Sequence, residues 1–146
     1  MSLVKNLIVK KVRSKSELEK VINIRKKVFI VEQKVPYEIE IDGFDEESEH
    51  FLAYLDGKPI GCGRIRKNKD YFKLERIAIL KEYRNKKYGE KITNYLISYC
   101  KGKNKKQIRL HSQLKVVDFY KKFGFIPIGN TFLEAGIKHI EMYKDI

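Results

Sequence analysis

The sequence predicts an α/β protein built on a single mixed β-sheet, on three observations. Short apolar or alternating runs typical of strands are separated by stretches with helical spacing. Three central runs are joined by short turns, which favours antiparallel pairing. A later strand–helix–strand succession requires a crossover and therefore a parallel pair. At 146 residues the chain is expected to form one domain, residues 1–146, around one core.

The first part of the chain predicts a strand, a helix and a long acidic loop. Residues 7–13 are rich in β-branched side chains and favour a first strand. Ser14 and Glu17 form a capping box that begins a helix, and its apolar spacing runs to about Phe29 and then, bent, to Gln33. Pro36 ends this helix, and residues 37–48 are predicted to form a polar loop.

Three strands in an antiparallel succession come next. Residues 50–55 and 59–66 alternate as strands on either side of a turn at residues 56 and 57, and residues 71–80 form the third strand. Gly61 and Gly63 indicate a bulge or a close approach of another backbone. In the third strand, a period of two places Glu75 on the face opposite Arg76.

The last part of the chain supplies the crossover and the closing strands. Helical spacing over residues 88–99 is followed by a strand at 107–111, a short helix at 115–122 and strands at 125–131 and 137–143. No apolar run is long enough to span a membrane, and the lysine-rich first eleven residues lack the composition of a secretory signal. Cys62 and Cys100 fit reduced packing residues of a cytoplasmic protein.

Charge is distributed unevenly along a chain whose formal net charge is +13. Residues 81–106 are strongly basic, and residues 32–49 are strongly acidic. A basic surface can bind nucleic acid, although scattered lysines are equally typical of a solvated surface. Two poles of opposite charge fit two ligands of opposite charge. Two solvated charge runs without a shared role are the alternative.

The most informative segment is LERIAILKEYRNKKYGEKI, residues 74–92, which predicts a buried strand, a basic turn and the start of a helix. Backbone N–H groups at a helix N-terminus, next to Arg84, Lys86 and Lys87, make a binding site for phosphate. Downstream, FYKKFGF, residues 119–125, predicts a short helix that ends in a glycine turn.

These two segments, in this order, resemble the GCN5-related N-acetyltransferase (GNAT) superfamily, whose members transfer an acetyl group from acetyl-CoA to an amine. Arg84 and Gly89 match the ends of the pyrophosphate motif Gln/Arg-x-x-Gly-x-Gly/Ala, while Lys87 stands where the family prefers glycine. The resemblance implies the GNAT fold, with about seven strands, about four helices and a splayed strand pair that receives pantetheine.

A second family motif, Asn-x-x-Ala-hydrophobic-x-hydrophobic-Tyr-x-x-x-Gly-Phe, is matched at Tyr120, Gly124 and Phe125, with Gln113 in place of the asparagine. The front of the chain, around Arg25 and the residues that follow it, resembles the bacterial ElaA/YjcF-like branch of the superfamily. In that branch the acceptor is generally not known.

The resemblance implies three groups of site residues. Tyr120 would protonate the departing CoA thiolate, and Glu75 would take the ammonium proton unless it only forms an ion pair. The residues expected to bind acetyl-CoA are Ile77, Ala78, Ile79, Arg84, Asn85, Lys86, Lys87, Tyr88, Gly89, Glu90, Gln113 and Phe119. The residues expected to bind the acceptor are Arg25, Phe29, Glu32, Gln33, Asp42, His50, His111 and His139. No metal is expected, since the chemistry needs none.

The expected function is therefore acetyl transfer from acetyl-CoA to a small amine by direct attack in a ternary complex. The acidic loop favours a cationic acceptor. Two rival functions stay open: a nucleic-acid-directed protein, whether a basic binder or a tRNA-acetylating GNAT, and a GNAT that binds CoA only as a regulatory ligand. The closing strands also offer edges through which two copies could form a homodimer.

Overall fold

The computed structural model describes residues 6–146, which form one seven-stranded mixed sheet in the order β1-β2-β3-β4-β5-β7-β6. The strands are β1 (Leu7–Lys11), β2 (Glu49–Leu55), β3 (Lys58–Lys67), β4 (Phe72–Ile79), β5 (Gln107–Gln113), β6 (Ile126–Glu134) and β7 (Ile137–Asp145). The α-helices are α1 (Lys15–Arg25), α2 (Tyr37–Glu40), α3 (Tyr88–Cys100) and α4 (Val117–Lys121). The predicted fold class, strand number and helix number are confirmed. Part of the segment used to judge a secretory signal, residues 1–5, lies outside the described residues.

Helix α1 begins at the predicted capping box. The amide of Glu17 donates to Ser14 Oγ at 3.1 Å, and Glu17 Oε1 accepts from the amide of Arg13 at 3.0 Å. The α-helix ends at Arg25 and continues as a π-helical segment, Lys26–Glu32, in which the Gln33 amide donates to the carbonyl of Val28. The predicted bent continuation thus takes the form of wider helical turns, a feature often found near functional sites.

The prediction of a loop over residues 37–48 is wrong at its start, where α2 forms one helical turn. The amides of Ile39 and Glu40 donate to the Pro36 carbonyl at 3.0 and 3.1 Å. This turn buries Glu40, and its carboxylate reaches the guanidinium of Arg76 at 2.6 Å. Because a single turn is not stable by itself, this distant partner rather than local propensity explains it.

The predicted alternation of β4 is also wrong, because the strand contains a bulge. Cys62 of β3 pairs with Ala78, but Arg64 pairs with Glu75, so β4 has one extra residue. Arg76 occupies this bulge with φ = +56°, a left-handed conformation that is costly for arginine. Glu75 contacts Arg64 and Arg76 contacts Asp42, and Arg64 and Asp42 pair with each other, so both side chains belong to one charged cluster rather than to opposite faces.

Two apolar cores lie on the two faces of the sheet. The larger one packs α3 and α4 against the sheet and includes Phe51, Ile60, Leu74, Ile92, Leu96, Ile108, Phe125 and Met142. The smaller one packs α1 and the π-helical segment against the other face and includes Val21, Ile24, Val28, Leu52, Cys62 and Ala78. Both cysteines are free and buried, and burial raises the pKa of the Cys62 and Cys100 thiols to about 12.

The glycines of β3 allow α3 to pack closely, as the sequence indicates. A Cβ atom on Gly61 would lie 2.8 Å from Ile92 Cδ1 and 2.9 Å from the Ala78 carbonyl oxygen. On Gly63, a Cβ atom would lie 2.8 Å from Leu96 Cδ1. The close approach of helix and sheet at these positions therefore depends on the missing side chain.

Replacing Gly61 with alanine is expected to lower the free energy of unfolding by about 1–3 kcal/mol, because the new methyl group overlaps a backbone oxygen that cannot rotate away. Denaturant unfolding of the Gly61→Ala protein measures this loss. Gly89→Ala is the matched control, since its Cβ would meet Phe119 at an ordinary 3.7 Å. Equal stability of the two variants would contradict the expected overlap.

The parallel strands β4 and β5 separate along their length. They pair only from Phe72 to Leu74 and from Ile108 to Leu110, so the predicted splayed pair is confirmed. Beyond this point β5 pairs only with β7, and β4 only with β3. Strand β6 is the edge next to β7, and its Leu133 is 70% exposed; homodimer formation through this edge stays a prediction. Within residues 6–146, every helix is too short or too polar to cross a membrane.

Candidate active site

A cavity of about 970 Å³ extends from the N-terminus of α3, through the opening between β4 and β5, to the side chains of β5, β7 and β6. It is lined by eighteen of the residues that the sequence predicts for the site. They are Phe29, Gln33, Asp42, Glu75, Ile77, Ala78, Ile79, Arg84, Asn85, Lys87, Tyr88, Gly89, Glu90, His111, Gln113, Phe119, Tyr120 and His139.

Four predicted residues do not line this cavity. Lys86 is exposed on the basic turn, and Glu32 is exposed on the π-helical segment. Arg25 and His50 are buried beneath the acidic loop, with exposures of 0% and 5%. The prediction that Arg25 and His50 surround an acceptor is therefore corrected: both hold the loop from below. His50 Nε2 donates to the carbonyl of Asp45 at 2.8 Å, and burial lowers the pKa of the imidazole.

The basic turn presents its backbone to the cavity. Asn85 and Lys87 both have positive φ, +64° and +65°, and Lys87 is the N-cap of α3. The following residues, Tyr88, Gly89 and Glu90, line the cavity with the first turn of the helix. Amides in a first helical turn have no partner within the helix, so this wall offers N–H donors and a positive dipole end.

Arg84 connects the basic turn to the π-helical segment. Its Nε donates to the Ile79 carbonyl at 2.9 Å, and its two terminal nitrogens donate to the carboxylate of Glu32, one of them at 2.8 Å. This hydrogen bond holds the pKa of Glu32 below its usual value. Arg84, at the first motif position, thus lines the cavity and also ties the basic turn to Glu32.

Lys87 adopts a backbone conformation that suits glycine. We therefore expect the free energy of unfolding of Lys87→Gly to be about 1 kcal/mol higher than that of Lys87→Ala. Both variants lose the same charge, so their difference isolates the cost of placing a Cβ at φ = +65°. Glycine also gains entropy in the unfolded chain, which reduces but does not reverse the difference. Equal unfolding midpoints in urea would show that the turn accepts a side chain without strain.

The middle of the cavity combines an amide bridge with a buried phenol. Gln113, at the end of β5, donates through Nε2 to Gln33 Oε1 at 3.1 Å and so links the sheet to the π-helical segment. Tyr120 of α4 packs against Phe119 and Phe125, with ring centroids 5.1 and 6.0 Å away. Burial alone raises the pKa of Tyr120 to about 12, so the phenol keeps its proton at neutral pH.

An arginine–carboxylate cluster supports the cavity wall next to β4. It consists of Arg25, Arg64, Arg76, Glu40, Asp42, Asp45 and Glu75. Arg64 is fully buried and donates to Asp42 at 2.8 and 3.0 Å and to Asp45 at 2.9 Å. Arg25 is also fully buried and reaches Asp45 at 2.6 Å.

The cluster pairs three carboxylates of the acidic stretch, those of Glu40, Asp42 and Asp45, with arginines of the same molecule. Burial opposes ionisation of Asp42, but the hydrogen bond from Arg64 and nearby arginine charge outweigh it and hold the pKa of Asp42 well below its usual range. The pKa of Asp45 is lowered against burial in the same way by Arg25 and Arg64. For Glu40, burial prevails and raises the pKa. The inference of a cationic acceptor from the acidic stretch is therefore weakened, because these carboxylates already have internal partners.

Glu75 is held by three cationic side chains. Its carboxylate lies 2.9 Å from Arg66 Nε, 3.2 Å from Arg64 Nη2 and 3.7 Å from Lys73 Nζ. The sequence left open whether Glu75 takes a proton or forms an ion pair, and this geometry matches the ion pair. Glu75 still lines the cavity, and it directly follows Leu74, the last residue of β4 that pairs with β5.

Opposite Glu75, the cavity wall carries two histidines and a glutamate. His111 Nδ1 lies 2.9 Å from Glu134 Oε1, and His139 Nε2 lies 3.6 Å from Glu134 Oε2. The sequence singled out both histidines but missed Glu134, which stands at the end of β6 just before a turn at Ala135 and Gly136. Nothing in the sequence next to Glu134 indicates that its side chain will contact His111 on another strand.

The acetyltransferase motifs suggested by the sequence agree with comparisons of the whole chain. A family model described as an acetyltransferase (GNAT) domain matches residues 12–146. The chain is 39% identical over 134 residues to YjcF of Bacillus subtilis, described as an uncharacterized N-acetyltransferase, with 91% of this chain and 96% of YjcF covered.

Protein ElaA of Escherichia coli is 30% identical over 139 residues, covering 91% of this chain and 90% of ElaA. The crystal structure of ElaA matches with a TM-score of 0.85 and 27% identity, covering 95% of this chain and 99% of ElaA. A GNAT acetyltransferase from Elizabethkingia anophelis, solved with acetyl-CoA bound, has a TM-score of 0.76 at 17% identity over 97% of this chain and 99% of that one, a likeness of fold alone. The chain belongs to the GNAT acetyltransferase family and is an N-acetyltransferase.

Proposed function

We propose that the protein transfers an acetyl group from acetyl-CoA to a primary amine of a small acceptor, by direct attack in a ternary complex. The observation that carries this proposal is the continuity of the cavity, which joins a basic helix N-terminus, a gap between two strands and a polar end wall. Its volume of about 970 Å³ suits an extended ligand and a second small molecule together.

The basic turn and the start of α3 fit the pyrophosphate of CoA. The wall there offers the unpaired amides of the first helical turn, and Lys87 and Lys122 add positive charge at the cavity. Arg84 holds the turn in place through Glu32 and Ile79. Lys87 in place of the usual glycine keeps its amide available, since its backbone already has the left-handed conformation that the turn needs.

The gap between β4 and β5 fits the pantetheine arm. Ile77, Ala78 and Ile79 line it on one side and Gln113 on the other, and neither strand pairs with its parallel neighbour there. The backbone groups that β4 directs away from β3 are thus available to an extended chain, as at the edge of a sheet, except the Ile79 carbonyl, which accepts from Arg84. When bound, acetyl-CoA would supply an acetyl thioester, whose carbonyl a β4 amide would polarise.

Tyr120 is the residue best suited to protonate the thiolate that leaves. It lines the cavity beside the strand gap, and its phenol carries a proton throughout the neutral range. The amine itself must lose a proton before it attacks, since an alkylammonium has no lone pair. Direct attack needs no nucleophile from the protein, and the cavity lining contains neither Cys62 nor Cys100.

A thermal-shift titration with acetyl-CoA, CoA and acetylpantetheine tests the proposal first. Acetyl-CoA at about one hundred times its dissociation constant should stabilise the protein by about 2.7 kcal/mol, and moderate salt should leave most of the effect. Acetylpantetheine lacks the pyrophosphate and should stabilise far less, because the basic turn has nothing to bind. An unchanged unfolding temperature with all three compounds would overturn the proposal.

Two further measurements separate the rival functions. A tRNA or DNA duplex that stabilises the protein only at low salt, with no effect of acetyl-CoA, would favour a nucleic-acid-directed protein. A clear shift with acetyl-CoA, without thiol release in the presence of any primary amine, would favour a regulatory CoA binder. The proposal expects thiol release that depends on both acetyl-CoA and amine.

A further inference from the structure

His139 lies at the place in the sheet where the acceptor amine would meet the strand gap. It pairs with Gln113 of β5 on one side and with Phe132 of β6 on the other. Directly opposed residues of antiparallel strands point to the same face, so His139 shares the cavity face with Gln113. The imidazole is 7% exposed and lines the cavity.

The backbone fixes which nitrogen of His139 carries the proton. Nδ1 lies 2.7 Å from the carbonyl oxygen of Ile137, which can only accept, so Nδ1 is the donor. In the neutral ring, Nε2 therefore presents a lone pair. His139 Nε2 lies 3.6 Å from Glu134 Oε2. Both atoms are acceptors in this state, so a donor group that contacts the two of them fits here.

Glu134 remains charged beside this lone pair. The hydrogen bond from His111 is the largest influence on its carboxyl and outweighs burial, so the pKa of Glu134 lies below its usual value. His111 Nε2 lies 3.4 Å from Glu141, which Arg109 also contacts, so His111 is held from both sides. Phe132 stacks on His139 at 6.0 Å and meets His111 edge to face at 4.9 Å, so its ring packs against both imidazoles.

An ammonium group satisfies every requirement of this place. It supplies N–H donors to both Glu134 Oε2 and His139 Nε2, and its charge is favoured by the carboxylate. Glu75, the carboxylate of β4 next to the strand gap, is already held by Arg64, Arg66 and Lys73. The wall of β5, β7 and β6 therefore has the free acceptors that the wall of β4 lacks.

We propose that Glu134 and His139 bind the ammonium group of the acceptor and that His139 Nε2 takes its proton. One N–H bond of the ammonium breaks and one N–H bond forms at Nε2, which leaves a neutral amine with a lone pair for attack and an imidazolium next to Glu134. His111 is a positioning residue that orients Glu134. The inference rests on the proposed function and names the base and the amine site of the same reaction.

Any pH dependence of this site includes its charged neighbours on five strands. They are Glu134 on β6, Glu141 on β7, His111 and Arg109 on β5, Lys73 and Glu75 on β4, and Arg66 on β3.

His139→Asn tests the base directly. Asparagine can keep the donor to the Ile137 carbonyl but removes the nitrogen that accepts the proton. With spermidine, glucosamine and lysine as acceptor probes, kcat/KM at neutral pH should fall by about a hundredfold. The loss should shrink as pH rises, because the free-amine fraction of the acceptor then grows by itself. A rate and pH profile equal to those of the unaltered protein would overturn the proposal.

Further variants separate binding, positioning and the rival base. Glu134→Gln should raise KM for the amine more than it lowers kcat, whereas Lys138→Gln, an exposed neighbour on β7, should change neither. His111→Asn, which keeps a donor to Glu134, should retain more activity than His111→Ala. Glu75→Gln should keep the shape of the profile of kcat/KM against pH. The proposal would be overturned if the fall in rate on the acidic side disappeared in Glu75→Gln and persisted in His139→Asn.

A readout without turnover separates this inference from the proposed function. Nitrogen NMR of the imidazole rings should find the proton of neutral His139 on Nδ1, and a proton on Nε2 would overturn the inference even in an active enzyme. The thermal shift with acetyl-CoA should be the same in His139→Asn as in the unaltered protein. If no amine probe accelerates thiol release, the proposed function fails and the inference fails with it.

Discussion

Replacing Arg64 with leucine is expected to lower the free energy of unfolding by about 3–5 kcal/mol, the largest stability loss that the structure predicts for one side chain. The guanidinium is fully buried and donates to both Asp42 and Asp45. Its Nη2 also lies 3.2 Å from Glu75. Without it, three carboxylates lose a partner in a region with little access to water.

The charge and the forked shape of Arg64 can be separated. Arg64→Lys keeps the charge but offers one point of contact, so it should recover only part of the loss. Urea unfolding of both variants measures the two contributions. Arg64→Leu in an Asp42→Asn background should cost less than in the unaltered protein, because fewer charges are then left unpaired. Additive losses would show that Arg64 and Asp42 do not act together.

The sequence predicts most of the fold because local signals agree with the final structure. The capping box of Ser14 and Glu17, the turn at residues 56 and 57 and the two strand glycines act within a few residues of their own position. Their geometry depends on hydrogen bonds and sterics that any host fold would leave unchanged. Element types and their order were therefore predictable, with boundaries shifted by a few residues.

The charged cluster was not predictable in the same way. Arg25 meets Asp45 and Arg64 meets Asp42 across 20 and 22 residues of chain, and no spacing rule connects such positions. Another distant pair, Glu40 with Arg76, joins the turn of α2 to the bulge of β4, so these two features were missed together. A count of acidic residues measures charge but not partners, which is why residues 32–49 suggested a ligand of opposite charge.

The site was partly predictable for a related reason. The basic turn and the Tyr120 segment are continuous in sequence, so a motif can describe them. Glu134, in contrast, reaches His139 through the β6–β7 hairpin, which pairs Phe132 with His139, and it reaches His111 only because β5 pairs with β7. Strand pairing decides which side chains share a face, and no spacing rule connects Glu134 with His111 on a strand 23 residues away.

Replacing Tyr120 with phenylalanine is expected to lower kcat by about a hundredfold. This is at the low end of the rate losses that follow removal of a general acid, because a thiolate is a tolerable leaving group even without protonation. The aromatic contacts with Phe119 and Phe125 involve the ring and not the hydroxyl, so packing should persist. The affinity for acetyl-CoA, measured by calorimetry, should therefore change by a factor of about two at most.

Two comparisons identify the cause of that loss. Tyr120→Leu removes the ring as well, and it should lower both stability and acetyl-CoA affinity, which Tyr120→Phe should not. With an acetyl thioester of a more acidic thiol as donor, the Tyr120→Phe defect should shrink, because a better leaving group needs less protonation. A defect of equal size in kcat and in acetyl-CoA affinity would instead assign Tyr120 a packing role, and the proton for the thiolate would then have to come from water in the cavity.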